Sequence, residues 1–439
     1  MRYDSIVIGS GAAGLYYALA SAKKGKRVAL IEKEKIGGTA FSTGCLPVKQ
    51  LMDKIREIEK ARGLEREGYL SVTVTADEVF KGFKATLKAT KSHIEARLKE
   101  SGVDLFEGSA VILEAGKIQV NHQILEGENL IVATGTSPAG IGNIIPDGEW
   151  ILTHGDVFEL ETLPREIVII GGNVEGIEFA SMLCELGVKV ILVEKQGRVL
   201  EGYDEDLIEG IIKRLELKGV QIMLNCEVVA VHTETEGATV EMKDSSSITS
   251  IKVEKVLLTG IRKGNIPEGI EALGALLNQG YLEVDENLMT GIEGIYAIGD
   301  VNGVHGMAHV AIQQGIQLSE HLWRNAPITM NYKSLPRCIF TLNELAGAGI
   351  QVGMDVDTVV KKIELNKMFR GVGKSENQGF MKVIFKSGII KGVWIYGPDA
   401  SALVGSIGLW IDREVSADEI RRHLFINPTY SEGLIEAIL

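Results

Sequence analysis

The sequence predicts an α/β protein built on two copies of one strand–turn–helix–strand unit, followed by a C-terminal third of mixed α+β character. Three observations predict it. Residues 4–33, "DSIVIGSGAAGLYYALASAKKGKRVALIEK", and residues 165–195, "REIVIIGGNVEGIEFASMLCELGVKVILVEK", each read strand, glycine-rich turn, amphipathic helix, strand and then Glu. In both copies the Glu follows the last motif glycine at the same spacing. The segment from about 331 alternates strand-like stretches ("GFMKVIFKSGIIKGVWIYG") with helix-like ones ("SALVGSIGLWI", "SADEIRRHL") and carries no such motif.

The first unit opens on the strand "YDSIVIG" and turns at "GSGAAG". Gly9 permits the tight turn, Gly11 lets backbone approach a pyrophosphate, and Gly14 lets helix and strand pack closely. The helix start at Ala12 and Ala13 offers N–H groups and a positive dipole end to phosphates. Glu32, with Lys33 beside it, ends the second strand where a carboxylate can accept ribose hydroxyls. Two Rossmann-like dinucleotide-binding domains follow from two such copies. Between them lie a helical, charged stretch from 47 to 101 and a β-rich piece ending "NLIVATGTSPA". The second unit carries Gly171, Gly176 and Glu194, and a further strand–turn, "GIEGIYAIGDVNG", comes at 291–303.

Composition narrows the partners. Hydrophobic residues make up 45% and charged residues 24%, as in a soluble globular chain. A net charge of −13 argues against nucleic acid or an anionic membrane as partner. No apolar run is long enough to span a bilayer, and the first strand begins too early for a leader, so the cytoplasm is expected. The four cysteines, 45, 184, 226 and 338, fit neither a metal site nor a disulfide framework.

The ordered series "GSGAAG", "EK…IGGTAFSTGCLPVK", "VATG", "IVIIGGNVEGIEFA", "YAIGDVNG…MAHVAIQQG", "IFTLNELA" and "NPTYSE" resembles the pyridine nucleotide–disulfide oxidoreductases, most closely their dihydrolipoamide dehydrogenase branch. The likeness covers nearly the whole chain. It implies a split FAD-binding domain, 1–140 and 260–328, with an NAD(P)-binding domain, 141–259, nested in it. It further implies a C-terminal α+β domain, 329–439, that forms a homodimer. FAD would be held by the first unit with Gly38, Thr39, Ala133, Thr134, Gly135, Gly299 and Asp300. The backbone at Met307, Ala308 and His309 would face the flavin. Lys49 and Glu178 would pair beside the flavin, with an exposed helix Glu as the bland alternative for 178.

Three departures set this chain apart. The resemblance implies two redox cysteines; here the first position is Ala40 and only Cys45 remains. Cys45 is expected just before a helix that starts at Pro47, where the dipole and Lys49 favour a thiolate. The resemblance also implies a C-terminal His oriented by Glu432, but Asn427 stands there, and an amide cannot shuttle a proton at neutral pH. His423 would share a face with Asn427 only if that stretch were helical. In the second glycine loop, Asn173 replaces the middle glycine. A Cβ there weakens or moves a bound dinucleotide, although Asn tolerates left-handed angles, and Glu175 adds negative charge beside the expected phosphates. Glu194 favours NAD(H) over NADP(H), with "KQGR" leaving NADP(H) formally open.

Dithiol exchange is therefore not expected. The chain is expected to be an FAD-dependent NAD(P)H oxidoreductase that delivers electrons to a small-molecule or protein acceptor that is not a disulfide, with Cys45, Lys49, Glu178 and Glu432 around the reaction. One alternative is a single-cysteine enzyme, like NADH oxidases, NADH peroxidases or coenzyme A-disulfide reductases. The other is a flavin-binding subunit whose nicotinamide site has decayed.

Overall fold

A computed structural model describes residues 1–372 and 379–439. They form two compact units, 1–51 with 74–163 and 257–330, and 52–73 with 164–256 and 331–439.

The first unit is organised on a seven-stranded sheet. Its parallel part runs Asp104–Glu107, Val28–Glu32, Arg2–Ile8 and Gln123–Val132, with Ile295–Ala297 also parallel to the last. Lys117–Val120 and Ala110–Glu114 continue it antiparallel. Ile6, Val7, Leu30, Ile31, Leu130 and Ile131 are wholly or almost wholly buried, as parallel strands covered on both faces require. The helices Ala12–Ala22 and Ala308–Arg324 cover one face. They approach closely because Gly315 has no side chain; a Cβ there would lie 2.4 Å from the Ala13 carbonyl oxygen. The helix Ala76–Glu100 has Asp77 and Glu78 in its first turn and Arg97 and Lys99 in its last, a charge order that complements the helix dipole.

The second unit holds the other βαβ copy. Gln221–Met223, Lys189–Val193 and Glu166–Ile170 pair in parallel, with helices Val174–Glu185 and Glu205–Leu217 beside them in sequence. A three-stranded antiparallel meander, Glu227–Glu234, Gly237–Lys243 and Ile248–Val253, follows. The C-terminal part is a five-stranded antiparallel sheet ordered Arg337–Ile339, Glu344–Gly349, Ile389–Gly397, Phe380–Lys386, Thr358–Glu364. Short helices, Ala400–Val404, Ile407–Asp412 and Ala417–Arg422, pack on its core. The buried ammonium of Lys382 meets Asp204, the N-cap of helix Glu205–Leu217, at 2.8 Å.

No helix among the described residues is long and apolar enough to cross a membrane. No group of His, Cys, Asp and Glu among them has the geometry of a metal site.

Candidate functional site

In the first glycine loop, two glycines are sterically compelled and the third leaves room. Gly9 has φ +105°, and a Cβ on it would sit 2.3 Å from the Ala133 carbonyl oxygen. A Cβ on Gly14 would meet the Gly9 carbonyl oxygen at 1.9 Å. Nothing lies within 4 Å of a Cβ on Gly11. That side is open, and Gly11 has no side chain to close the helix start at Ala12 and Ala13. Gly38 comes so near that its own Cβ would be 3.1 Å from the Gly11 Cα. The Glu32 carboxylate braces the loop: Oε2 accepts from the Ser10 N–H (2.9 Å) and hydroxyl (2.6 Å), and Oε1 from the Glu34 N–H (2.9 Å). Both lone pairs of Oε2 are thereby used, and one remains on Oε1 as an acceptor. Lys33 instead pairs with Glu34 at the surface.

Further polar groups converge in the same unit. The Thr134 hydroxyl donates to the Asn265 carbonyl at 2.5 Å, and Gly135 turns with φ +64°. Arg262 donates from Nε to the Thr136 hydroxyl (2.7 Å) and from Nη2 to the Thr136 carbonyl (2.8 Å) and the Thr39 hydroxyl (3.3 Å). Asp300 lies on the 3-10 turn Gly299–Asn302. Burial pushes its carboxyl above the ordinary aspartate range, while the Arg262 guanidinium and a Thr136 hydrogen bond pull it back. Helix Ala308–Arg324 begins after Met307, whose side chain provides no cap, and its N-terminus presents the positive end of the helix dipole. Sequence reasoning missed Arg262, because one Arg in "TGIRKGN" carries no local pattern.

The redox-like stretch is locally distinct. Residues Thr39–Thr43 make a single π-helical turn, and Ala40 is buried in the apolar core. The following helix is Cys45–Arg66. It starts two residues earlier than Pro47 suggested, with Pro47 in the first turn, where a missing N–H breaks no helical bond. Cys45 is exposed, and Lys49 on the next turn is half-buried. None of the four cysteines is in a disulfide, and burial pushes the Cys184 thiol up to about 12. The buried ring of His154 packs against Gly44, its Cδ2 3.4 Å from where a Cβ would lie.

In the second unit, Gly171 repeats the positive φ of Gly9, at +108°. Glu194 repeats Glu32, accepting from the Gly172 N–H (2.6 Å) and the Gln196 N–H (2.7 Å). Asn173 does not use the left-handed tolerance expected of it. Its φ and ψ are −79° and −176°, close to the −64° and −172° of Gly11. Its effect lies in the side chain, which accepts from the Gly176 N–H at 3.1 Å and so caps the helix, with Glu175 in the first turn. Glu178 is buried and accepts the Phe340 N–H at 2.9 Å. Lys195 pairs with Glu227 at 2.7 Å, and Arg198 donates to the Tyr203 carbonyl.

At the C-terminus, Asn427 Nδ2 donates to Glu432 Oε1 and the Thr429 N–H donates to Oε2, both at 2.8 Å. These donors, Asn427 first, hold the Glu432 carboxyl below its ordinary range. An ionised carboxylate only accepts, so the amide must turn its NH2 toward Glu432 and its oxygen away. His423 ends helix Ala417–Arg422 and stacks edge-on with Phe425 at 4.8 Å. It therefore shares no helical face with Asn427.

The family model described as pyridine nucleotide-disulphide oxidoreductase matches residues 3–315, and the model for that family's dimerisation domain matches 335–438. The chain is 29% identical to a dihydrolipoyl dehydrogenase of Geobacillus stearothermophilus, over 99% of this chain and 95% of that one. It is 28% identical to a dihydrolipoyl dehydrogenase of Bacillus subtilis, over 100% and 98%. Among solved structures, LpdA of Mycobacterium tuberculosis superposes with a TM-score of 0.90 at 26% identity, covering 99% of this chain and 98% of that one. The Cu(II) complex of the HOCl-induced flavoprotein disulfide reductase RclA of Escherichia coli has the same fold, with a TM-score of 0.87 at 23% identity over 100% and 99%.

Proposed function

The chain belongs to the pyridine nucleotide–disulphide oxidoreductase family, and we propose that within it the chain carries electrons between NAD(H) and a non-disulfide acceptor by way of FAD. One observation carries this reading: the chain lacks both groups that dithiol exchange needs. A buried methyl at Ala40 stands where a second thiol would be, Cys45 is in no disulfide, and the side-chain amide of Asn427 is bound to Glu432. The first nucleotide unit, by contrast, is intact.

The residues present fit FAD. The open approach at Gly11 and Gly38 and the helix start at Ala12 and Ala13 would hold the pyrophosphate. Glu32 would accept from the ribose, and Asp300 from the ribityl hydroxyls. Arg262 neutralises charge near Asp300, with Thr39 and Thr136 as its acceptors. The N-terminus of helix Ala308–Arg324 would stabilise negative charge on the flavin ring. When bound, FAD supplies a two-electron carrier able to take hydride from a nicotinamide and release electrons to a second acceptor. Lys49 would face that ring, and Glu178 is buried with its carboxylate accepting the Phe340 N–H. On the nicotinamide side, Glu194 would accept ribose hydroxyls and repel a 2′-phosphate. Lys195 and Arg198 are engaged elsewhere, which supports NAD(H) over NADP(H). The domain division follows: FAD on 1–140 and 260–328, NAD(H) on 141–259, and a homodimer through 329–439, where the dimerisation-domain match supports it.

Anaerobic mixing with NADH and with NADPH, followed at the flavin absorbance band, tests this reading. Bleaching by NADH, faster than by NADPH, is the expected result. No bleaching by either overturns it. A second reading, a flavin-binding subunit with a decayed nicotinamide site, is favoured by the side-chain cap at Asn173. The same experiment decides against it if NADH bleaches the flavin.

A further inference from the structure

The turn that carries Asp300 is a single 3-10 turn, closed at its end by the Gly303 N–H on the Asp300 carbonyl at 3.1 Å. It runs from Gly299 to Asn302, and Gly299 and Gly303 both have positive φ, +75° and +68°. The first N–H groups of such a turn have no partner within it, so the Gly299 N–H depends on an outside acceptor. One side chain supplies it. Gln314, fully buried on helix Ala308–Arg324, accepts from the Gly299 N–H at 2.7 Å and from Asn302 Nδ2 at 3.0 Å through the same Oε1. Both ends of the turn thus hang on one oxygen. Asn302 completes the frame, donating to the Ala297 carbonyl (3.1 Å) and accepting from the Val304 N–H (3.1 Å).

The oxygen is itself fixed in place. Gly315, next in sequence, lets the helix press on Ala12–Ala22 so closely that a Cβ would meet the Ala13 carbonyl. On the turn side, a Cβ on Gly299 would lie 3.0 Å from Ala13 Cβ and 3.4 Å from Ala311 Cβ. The turn is therefore wedged between the helix that starts at the first glycine loop and the helix that starts at Met307. A buried amide is costly unless its partners are met, and the Gly299 N–H and Asn302 Nδ2 meet its oxygen. We infer that Gln314 is a positioning residue: its Oε1 sets the turn that aims Asp300 at the cofactor's ribityl hydroxyls, and so governs how tightly FAD is held. This rests on the reading that the first unit holds FAD.

The test uses the purified FAD-loaded protein and reads the rate of FAD loss as rising flavin fluorescence after dilution. Gln314→Met keeps the volume and deletes the acceptor, leaving the Gly299 and Asn302 donors unmet. It should speed FAD loss about tenfold. Gln314→Glu keeps an oxygen in place and should stay within about threefold of wild type. Gln314→Asn, which withdraws the amide by one methylene, should also speed loss and serves if the Met variant does not fold. Combining Gln314→Met with Asp300→Ala should be no faster than Asp300→Ala alone, because one acts through the other. A Gln314→Met rate equal to wild type, or full additivity with Asp300→Ala, overturns the inference while leaving FAD binding intact. A wild-type protein without flavin overturns the underlying reading and the inference with it.

Discussion

Replacing Asn173 by Ala should tighten NADH binding. In the first glycine loop, Gly11 presents an uncapped helix start. In the second, at nearly the same backbone angles, Asn173 already bonds the Gly176 N–H at 3.1 Å. A phosphate seeking that donor must displace the amide. A side-chain cap is worth about 1 kcal/mol, so its removal corresponds to a roughly fivefold lower Kd. Ala adopts φ −79° without strain, so no backbone term opposes the gain. Asn173→Gly, which also removes the Cβ, should tighten binding at least as much. Asn173→Asp should weaken it, because the carboxylate sits at the phosphate position. Calorimetric titration of NADH into the FAD-loaded variants at fixed salt gives the three constants. The free helix loses its cap, so Asn173→Ala should also melt a few degrees lower. Weaker NADH binding by Asn173→Ala would refute the reasoning, since Asn173 would then be a ligand to the nucleotide instead of its competitor.

Other outcomes follow from single contacts. Cys184 should resist iodoacetamide in the native protein at neutral pH and react only after denaturation, since burial pushes its thiol up to about 12; mass mapping of labelled peptides checks this. Lys382→Ala strands the Asp204 carboxylate in a buried site and should cost about 3 kcal/mol, read by denaturant unfolding. The folded carboxyl of Glu432 lies below its unfolded value, so its contribution is present above about pH 4.3 and fades as pH falls through the lower folded value. Unfolding curves of wild type and Asn427→Ala should therefore differ most near neutrality and converge in acid.

Much of the fold and part of the site were legible because glycine leaves a steric signature. Gly9 and Gly14 are positions where a Cβ would collide with backbone, and such a spacing between two apolar runs fits little besides a tight strand-to-helix turn. Glu32 and Glu194 were legible because strand ends recur at a fixed distance, and the structure gives both the same two-oxygen bracing of the loop. Long-range polar contacts were not legible. Arg262 meets Thr39 across more than two hundred residues, and the Phe340 N–H that fixes Glu178 comes from the C-terminal third. Gln314 reads in sequence like any helix glutamine; only burial and a turn with two positive-φ glycines give it meaning. At Asn173 the sequence suggested a Cβ in the way of the dinucleotide, and the structure adds a side-chain cap on the Gly176 N–H that no sequence pattern announces.

In the proposed function, two electrons reach the flavin and leave it without a disulfide. An anaerobic titration of the FAD-loaded protein with NADH counts them. The expected result is complete bleaching of the flavin band at one NADH per subunit, unchanged in Cys45→Ser. Uptake of a second equivalent before full bleaching, lost in Cys45→Ser, would contradict the claim by showing a further redox centre at Cys45.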